Sequence, residues 1–247
     1  SASHGSIPIA AILGDQQSAL FGQCCFTPGT AKNTYGTGCF MLMNTGTQIP
    51  DTPSGLLNTV AWHIDGVTTY ALEGSVFVAG AALQWLRDGL DILEDVARSS
   101  SIAQADSELN PHSSVVVVPA FAGLGTPYWD THARGAIFGL TQDTDRKAII
   151  RATLESLAFS TQDVLNAMQE DSGISLMKLQ VDGGAAANDY LMQFQANLLG
   201  VSVVRPALIE STAAGVAFMA AISMGGVTQA DLLETKSVDR VFDGQQS

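Results

Sequence analysis

The order of strand and helix patterns along the chain is the feature that most constrains its fold. Short apolar runs separated by turn residues predict strands at 7–13, 31–35, 40–44, 60–64 and 67–71, with Asp65-Gly66 as a hairpin signal between the last two. Later patterns predict helices at 74–87, 146–170, 188–199 and 212–224, and strands at 115–120, 178–182 and 202–205. Antiparallel strands first and strand–helix units later predict an α/β fold, with one mixed sheet flanked by helices on both faces.

The composition of the chain limits the kinds of partner that it can bind. Its 247 residues, 46% of them hydrophobic, can fill the core of one large globular domain. A formal charge of −13 argues against nucleic acid and anionic membranes, because phosphate backbones are held by clustered Lys and Arg. The longest apolar stretches, such as 115–122, are too short to span a bilayer, so we expect a soluble, cytoplasmic protein. The chain starts at Ser1 without an initiator Met, and we expect a fragment of a longer protein.

The cysteines and histidines predict no metal site. Cys24, Cys25 and Cys39 are odd in number and lack ligand spacing, so we expect them to be small buried hydrophobic residues. The histidines are scattered and receive no role.

A carboxylate follows the first predicted strand. In Gly14-Asp15-Gln16-Gln17, Asp15 stands at the carboxyl end of that strand, the edge where α/β sheets bind ligands. The alternative is that Asp15 only caps the helix that follows.

Two glycine-rich turns are candidate phosphate or nucleotide contacts. In Gly36-Thr37-Gly38 the backbone can turn tightly and present N–H groups beside the Thr37 hydroxyl, although an ordinary hairpin turn uses the same residues. In Asp182-Gly183-Gly184, followed by three alanines and Asn188, small residues would let a nucleotide approach the backbone. Asn188 is equally suited to cap the next helix.

Both common nucleotide-binding fingerprints are missing. The chain contains neither G-x-x-x-x-G-K-[ST] nor G-x-G-x-x-G, which removes the Walker kinases and leaves little support for a dinucleotide enzyme. Gly80 and Gln84, downstream of Glu73-Gly74, form a small, polar-edged helix face, for which packing on the sheet is the simpler interpretation.

Taken in order, these stretches resemble the C-terminal domain of the FGGY family of carbohydrate kinases, at its glycerol-phosphorylating branch. The stretches that carry the resemblance are Gly14-Asp15-Gln16-Gln17, Asn33-Thr34-Tyr35-Gly36-Thr37-Gly38-Cys39-Phe40-Met41, Pro127-Tyr128-Trp129-Asp130, Arg134-Gly135-Ala136-Ile137-Phe138-Gly139-Leu140-Thr141 and Asp182-Gly183-Gly184. The resemblance covers roughly 7–226. It implies an actin-like, ribonuclease H-like domain that closes on a similar N-terminal domain over ATP.

The resemblance also implies roles for single residues. Asp15 would be the general base for the glycerol hydroxyl, Gln16 would lie beside the polyol, and Phe40 would be an apolar wall. The nucleotide contacts would be Thr37 at the phosphate, with Gly80, Gln84, Gly184 and Asn188. The implied reaction is direct in-line transfer from ATP with Mg²⁺ bridging the phosphate oxygens, and no metal ligand is assigned to this chain.

Two departures from the family limit what is carried over. The N-terminal domain, which holds most polyol contacts, is not in this sequence, so we expect 1–247 alone to bind nucleotide weakly and to be inactive. Ser6 stands where regulated members carry an arginine for a sugar bisphosphate, so inhibition by fructose 1,6-bisphosphate is not carried over. We expect the whole protein to be a homo-oligomer.

The alternatives are a sister kinase for a pentulose or other sugar, a non-kinase ATP-binding module of the actin type, and a scaffold that has lost activity. Gln16-Gln17 after Asp15 and the run Cys39-Phe40-Met41 favour glycerol over a sugar. The run Asp15-Gln16-Gln17 distinguishes a kinase from a module in which ATP drives only motion or assembly.

Overall fold

The structure, a computed structural model, describes residues 8–208 and 210–244. Ser6 and the start of the first predicted strand lie outside these ranges. The helices are α1 (Asp15–Gly22), α2 (Gly80–Gln84), α3 (Ser99–Leu109), α4 (Arg146–Ser172), α5 (Asp189–Leu199), α6 (Ser211–Ser223) and α7 (Gln229–Thr235). The strands are β1 (Thr30–Tyr35), β2 (Cys39–Gly46), β3 (Leu57–Ile64), β4 (Val67–Val76), β5 (Val116–Val118), β6 (Ala136–Phe138), β7 (Lys178–Asp182), β8 (Val203–Pro206) and β9 (Val238–Phe242).

A seven-stranded mixed sheet of order β3-β4-β2-β1-β7-β8-β9 organises the described chain. Strands β1 to β4 pair antiparallel, β1 pairs parallel with β7, β7 pairs parallel with β8, and β9 closes the edge antiparallel to β8. The parallel centre is made by the strand–helix units and the antiparallel half by the hairpins. The predicted mixed sheet is confirmed.

Alternation along the strands gives the sheet two buried faces. On β2, Met41 and Met43 join the core cluster that contains Leu154 of α4, whereas Leu42 between them joins the cluster that contains Leu20 of α1. Successive strand side chains point to opposite faces, so each face needs its own helical cover. Helices on both faces were predicted and are confirmed.

The long helix α4 has well-defined ends. Asp145 caps its start by accepting hydrogen bonds from the backbone N–H groups of Lys147 at 2.8 Å and Ala148 at 3.1 Å. Gly173 ends it with a left-handed backbone, φ 67°. These are the residue types that helix ends favour, which is why the helix predicted at 146–170 is nearly correct.

The strand predicted at 7–13 does not form in its described part. Residues 8–14 have no regular structure, and Ile9 and Ile12 are 83% and 84% exposed. A strand needs a neighbour for its backbone hydrogen bonds, and none of the described strands pairs with this segment. The segment is apolar, but the strand predicted from its apolar run is wrong.

The helix predicted at 74–87 is also wrong in its first part. Strand β4 continues to Val76 because β2 pairs with it as far as Cys39, and α2 begins only at Gly80. After Gln84 the chain makes a π-helical turn, Trp85–Gly89. Cross-strand pairing therefore overrides the helical spacing of the apolar residues.

The strand predicted at 115–120 is shorter and less buried than expected. Only Val116–Val118 is a strand, and it pairs with β6 in a separate two-stranded sheet. Val117 is 4% exposed but Val116 is 47% exposed, so the valine run has one open face. Elements β6, α7 and β9 were not predicted, and the region of α3, up to about Asn110, was predicted only as helical or irregular.

Two smaller findings concern the cysteines and the composition of the helices. Cys24, Cys25 and Cys39 are free and buried, as predicted. Over the ranges that the structure describes, no helix combines the length and the apolar character that crossing a membrane requires.

Candidate active site

At the hairpin end of β1 and β2, the sheet brings together residues from two of the candidate motifs. Thr34 of β1 lies opposite Phe40 of β2 and opposite Asp182 of β7, so the three side chains share one face. The neighbouring row on that face contains Lys32 opposite Leu42, and Leu42 packs in the core cluster with Leu20 of α1. Helix α1 therefore covers the face on which Phe40 stands.

Asp15 opens α1 without capping it. The N-cap is Gly14, and Asp15 is the first helical residue, exposed, with its Oδ1 accepting a hydrogen bond from the Gln16 backbone N–H at 2.7 Å. A carboxylate in the first turn is favoured by the helix dipole. The structure thus does not support the alternative in which Asp15 is only the N-cap, and it leaves the carboxylate facing solvent.

Close packing against α6 fixes the position of α1. A Cβ added at Gly215 would overlap the carbonyl oxygen of Ser18, and one added at Gly22 would overlap that of Ser211. The Ser18 hydroxyl donates to the Thr212 carbonyl at 2.6 Å. Two glycines facing each other let the helix backbones touch, which sets the direction in which Asp15 is presented.

The Gly36-Thr37-Gly38 turn joins β1 to β2 and is braced from behind. The Thr37 carbonyl accepts from the backbone N–H groups of Ala79 at 2.8 Å and Ala81 at 3.2 Å, and the Gly36 carbonyl accepts from that of Gly80 at 3.0 Å. Thr37 is exposed at the tip. It is a hairpin turn, as the simpler interpretation held, but one whose backbone the start of α2 holds in place.

The two glycines after β7 serve different purposes. Gly183 has φ 85°, and a Cβ there would lie 2.7 Å from the Tyr35 carbonyl carbon, so the fold itself requires glycine. Gly184 is exposed, and a Cβ added to it would meet nothing within 4 Å. Glycine at 184 leaves open space next to the end of β1, where a ligand could approach the backbone.

Gln84 and Asn188 are placed differently. Gln84 is exposed at the end of α2. Asn188 is buried and caps α5: its Oδ1 accepts from the Leu191 N–H at 3.0 Å and its Nδ2 donates to Ser99 Oγ at 2.9 Å. The capping alternative for Asn188 is therefore confirmed, and a nucleotide contact would be an additional role.

Asp182 belongs to a motif named in the sequence analysis but was given no role there. Its side chain accepts hydrogen bonds in a buried cluster of polar side chains. Its Oδ2 accepts hydrogen bonds from Gln23 Nε2 at 3.1 Å and from Ser211 Oγ. Its Oδ1 is buried without a hydrogen-bond partner among the described residues. A cavity of about 380 Å³ lies beside it, lined also by Gly183, Ala187 and Arg205.

Sequence reasoning missed Lys32. Its side chain is 0% exposed on β1, and its ammonium donates to Gln16 Oε1, to Thr34 Oγ1 at 3.1 Å and to the Phe40 carbonyl at 3.1 Å. Burial lowers the pKa of Lys32 to about 8, although the charges of Asp182, Glu73 and Asp15 act in the opposite direction. The available signal was a lysine inside the strand predicted at 31–35.

Comparison with known proteins gives the family. The model of the FGGY family of carbohydrate kinases, C-terminal domain, matches residues 31–224. The glycerol kinase of Desulforamulus reducens is 60% identical over 220 residues, covering 89% of this chain and 43% of that protein. The glycerol kinase of Caldanaerobacter subterraneus subsp. tengcongensis is 58% identical over 238 residues, covering 96% of this chain and 47% of that protein.

A solved structure agrees. Plasmodium falciparum glycerol kinase with ADP matches with a TM-score of 0.91 and 34% identity, covering 98% of this chain and 48% of that one. The actin-like fold expected from the resemblance is thereby confirmed. The chain spans about half the length of the curated relatives it matches. The chain belongs to the FGGY family of carbohydrate kinases, whose C-terminal domain it represents.

Proposed function

We propose that this chain is the ATP-binding half of a kinase that converts glycerol to glycerol 3-phosphate, and that it supplies the catalytic base, Asp15. The observation that carries the proposal is identity of 58–60% to two glycerol kinases over most of this chain. The geometry supports it, because an exposed carboxylate stands on a tightly packed helix, and the next residue, Gln16, shares the Lys32 ammonium with the Phe40 carbonyl of β2.

In this mechanism Asp15 accepts the proton of the glycerol hydroxyl as that oxygen bonds to the γ-phosphorus of ATP and the bond to ADP breaks. Such transfer depends mainly on positioning and charge neutralisation, and a carboxylate in hydrogen-bond reach of the hydroxyl suits the base role. Gln16 follows Asp15 directly, and Phe40, 43% exposed on the covered face, provides an apolar wall for the carbon chain.

Five residues would hold the nucleotide. The Thr37 turn would contact the terminal phosphate, while Gly184 would allow close approach of the nucleotide to the backbone. The remaining proposed contacts are Gly80, Gln84 and Asn188. Support comes from the open space at Gly184, from the bracing of the Thr37 turn by the start of α2, and from the ADP bound by the P. falciparum relative.

Mg²⁺ would enter with the nucleotide. In residues 8–208 and 210–244 there is no group of three or more His, Cys, Asp or Glu side chains that could hold a metal. This fits Mg²⁺ in kinases, which is bound largely by phosphate oxygens and water, with one or two carboxylates. When bound, it neutralises charge on the phosphates.

The rest of the site would come from outside this chain. We propose that an N-terminal domain of the same protein contributes most glycerol contacts and closes over ATP, and that the whole enzyme is a homo-oligomer that works in the cytoplasm, where ATP is available. The sugar-kinase alternative is not favoured, because the relatives at 58–60% identity compared above are glycerol kinases.

The test is phosphorylation by the whole protein with glycerol, xylulose and gluconate as competing acceptors. We expect glycerol to have by far the highest kcat/KM. A strong preference for either sugar would overturn the glycerol assignment, and ATP binding without transfer to any of the three would favour a non-kinase module.

A further inference from the structure

The buried ammonium of Lys32 joins three elements, two of which, α1 and β2, carry proposed glycerol contacts. Its hydrogen bonds reach Gln16 on α1, Thr34 on β1 and the Phe40 carbonyl on β2. An ammonium has three donors, and each of them has an acceptor here. Lys32 is therefore fully used inside the protein, and its side chain is 0% exposed, so substrate does not reach it directly.

The charge of Lys32 is balanced from a distance. Its three hydrogen-bond acceptors are neutral groups. The carboxylates that favour its charged form are Asp182 on β7, Glu73 on β4 and Asp15 on α1, and the thiol of Cys25 also contributes. A buried charge is tolerated only when such compensation exists, and an apolar side chain in this place could make none of the three hydrogen bonds.

The ammonium also fixes which way the Gln16 amide faces. The oxygen and nitrogen of an amide are normally hard to tell apart, but an ammonium can only donate. Gln16 must therefore turn Oε1 towards Lys32, which leaves the Nε2 donors for another partner. A glycerol hydroxyl both accepts and donates, so Gln16 Nε2 would bond its oxygen while Asp15 takes its proton.

We propose that Lys32 is a positioning residue for glycerol, acting through Gln16 by holding its amide with the donor side towards the substrate. This inference rests on the proposed function and adds to it a specificity device placed behind the contacting residues. It makes glycerol binding, rather than ATP binding, the quantity that depends on Lys32.

The main experiment measures steady-state kinetics of the whole protein carrying Lys32→Met. We expect the KM for glycerol to rise by about tenfold or more, and the KM for ATP to change by less than about twofold. Lys178→Met is the matched control, because Lys178 lies on the same face of the adjacent strand at its far end and should leave both constants unchanged. An unchanged glycerol KM in Lys32→Met would overturn the proposal.

A double-mutant cycle separates positioning from general damage. If Lys32 acts through Gln16, Lys32→Met should cause no further rise in the glycerol KM once Gln16→Ala is present. Equal fold-changes in both backgrounds would mean that Lys32 acts independently of Gln16, and would overturn the inference.

A second variant covers the case in which Lys32→Met fails to fold. Gln16→Glu keeps an acceptor for the ammonium but removes the outward donor, so thermal stability should rise while the glycerol KM increases. Gln17→Glu is its control: Gln17 Nε2 donates to Thr59 Oγ1 at 2.9 Å, so that variant loses a donor and should gain no stability. A lower melting temperature for Gln16→Glu than for Gln17→Glu would contradict the proposed amide orientation.

These measurements also distinguish a failure of the proposed function from a failure of the proposed role of Lys32. Absence of glycerol phosphorylation by the unmodified protein would refute the proposed function. Phosphorylation that is insensitive to Lys32→Met would refute only the role of Lys32, and the melting temperatures test the amide orientation without any activity.

Discussion

Gly215 of α6 lies against the carbonyl oxygen of Ser18 in α1, so closely that a single added methyl group would overlap it. The contact determines how α1 sits on the sheet. Because Asp15 is the first residue of α1, the packing of two glycines deep between helices controls the presentation of the proposed base.

The first prediction concerns Gly215→Ala. Helix propensity alone would make this change stabilising by about 1 kcal/mol, whereas overlap with the Ser18 carbonyl should destabilise the fold by about 2 kcal/mol or more. Chemical denaturation measures whether Gly215→Ala raises or lowers the free energy of unfolding. Gly226→Ala is the control, since its new Cβ would lie 3.4 Å from the Ala221 carbonyl oxygen, a far looser contact. A stabilised Gly215→Ala would show that the helices are not held as described.

The second prediction compares neighbouring glycines. Gly184→Ala should change the free energy of unfolding by less than about 0.5 kcal/mol, because its Cβ would meet nothing within 4 Å. It should nevertheless weaken ADP binding in a calorimetric titration, because the Cβ would fill the space left for the nucleotide.

Gly183→Ala is the counterpart of that variant. Its positive φ and its contact with Tyr35 predict a loss of about 1–3 kcal/mol in stability. Unchanged ADP affinity in Gly184→Ala would remove Gly184 from the nucleotide site without affecting the fold.

The third prediction is that Asp15→Asn in the whole protein lowers kcat by about 10²–10⁴-fold, because the amide cannot accept the hydroxyl proton. ATP affinity and melting temperature should stay nearly constant, since Asp15 is exposed and is not the N-cap. Asp143→Asn, a change at another exposed aspartate, should alter neither kcat, nor ATP affinity, nor melting temperature. Turnover that survives in Asp15→Asn would exclude Asp15 as the base.

The fourth prediction is a loss of stability in alkali. Burial raises the pKa of the Cys25 and Cys39 thiols from 9.0 to about 12. Between these values the unfolded chain has lost its thiol protons while the folded chain keeps them. The free energy of unfolding therefore falls as pH rises above about 9, by at most about 1.4 kcal/mol per pH unit for each thiol.

Lys32 opposes this effect. Its pKa is lowered from 10.5 to about 8, so the unfolded chain holds that proton longer and the Lys32 contribution to stability rises with pH over that interval. The lowered pKa of Lys236 acts in the same direction as that of Lys32, whereas the raised pKa values of Cys24, Tyr35 and Tyr190 act with the two thiols. Because the groups with raised pKa values are more numerous, we expect a net decrease in stability between pH 8.5 and 10.5 in denaturation experiments with reductant. Cys39→Ala should flatten this slope; an unaltered slope would show that Cys39 does not cause it.

Much of the architecture follows from the sequence because it depends on local chemistry. The turn residues Asp65 and Gly66, the capping residue Asp145 and the terminal Gly173 act on their immediate neighbours, so β3, β4 and α4 could be placed without tertiary information. Asp15 and Thr37 could likewise be selected, because each stands in a motif whose order along the chain is informative.

Tertiary structure decided what depends on partners distant in sequence. Whether residues 8–13 form a strand depends on a neighbouring strand, and how far β4 extends depends on its pairing with β2. The burial of Lys32, its hydrogen bond to Gln16 and the contact between Gly215 and Ser18 join residues that periodicity cannot relate. The sequence by itself determined the types of most elements and the chemical groups of the motifs; only packing determined their orientation and brought in Lys32, because side-chain direction is set by contacts made across the fold.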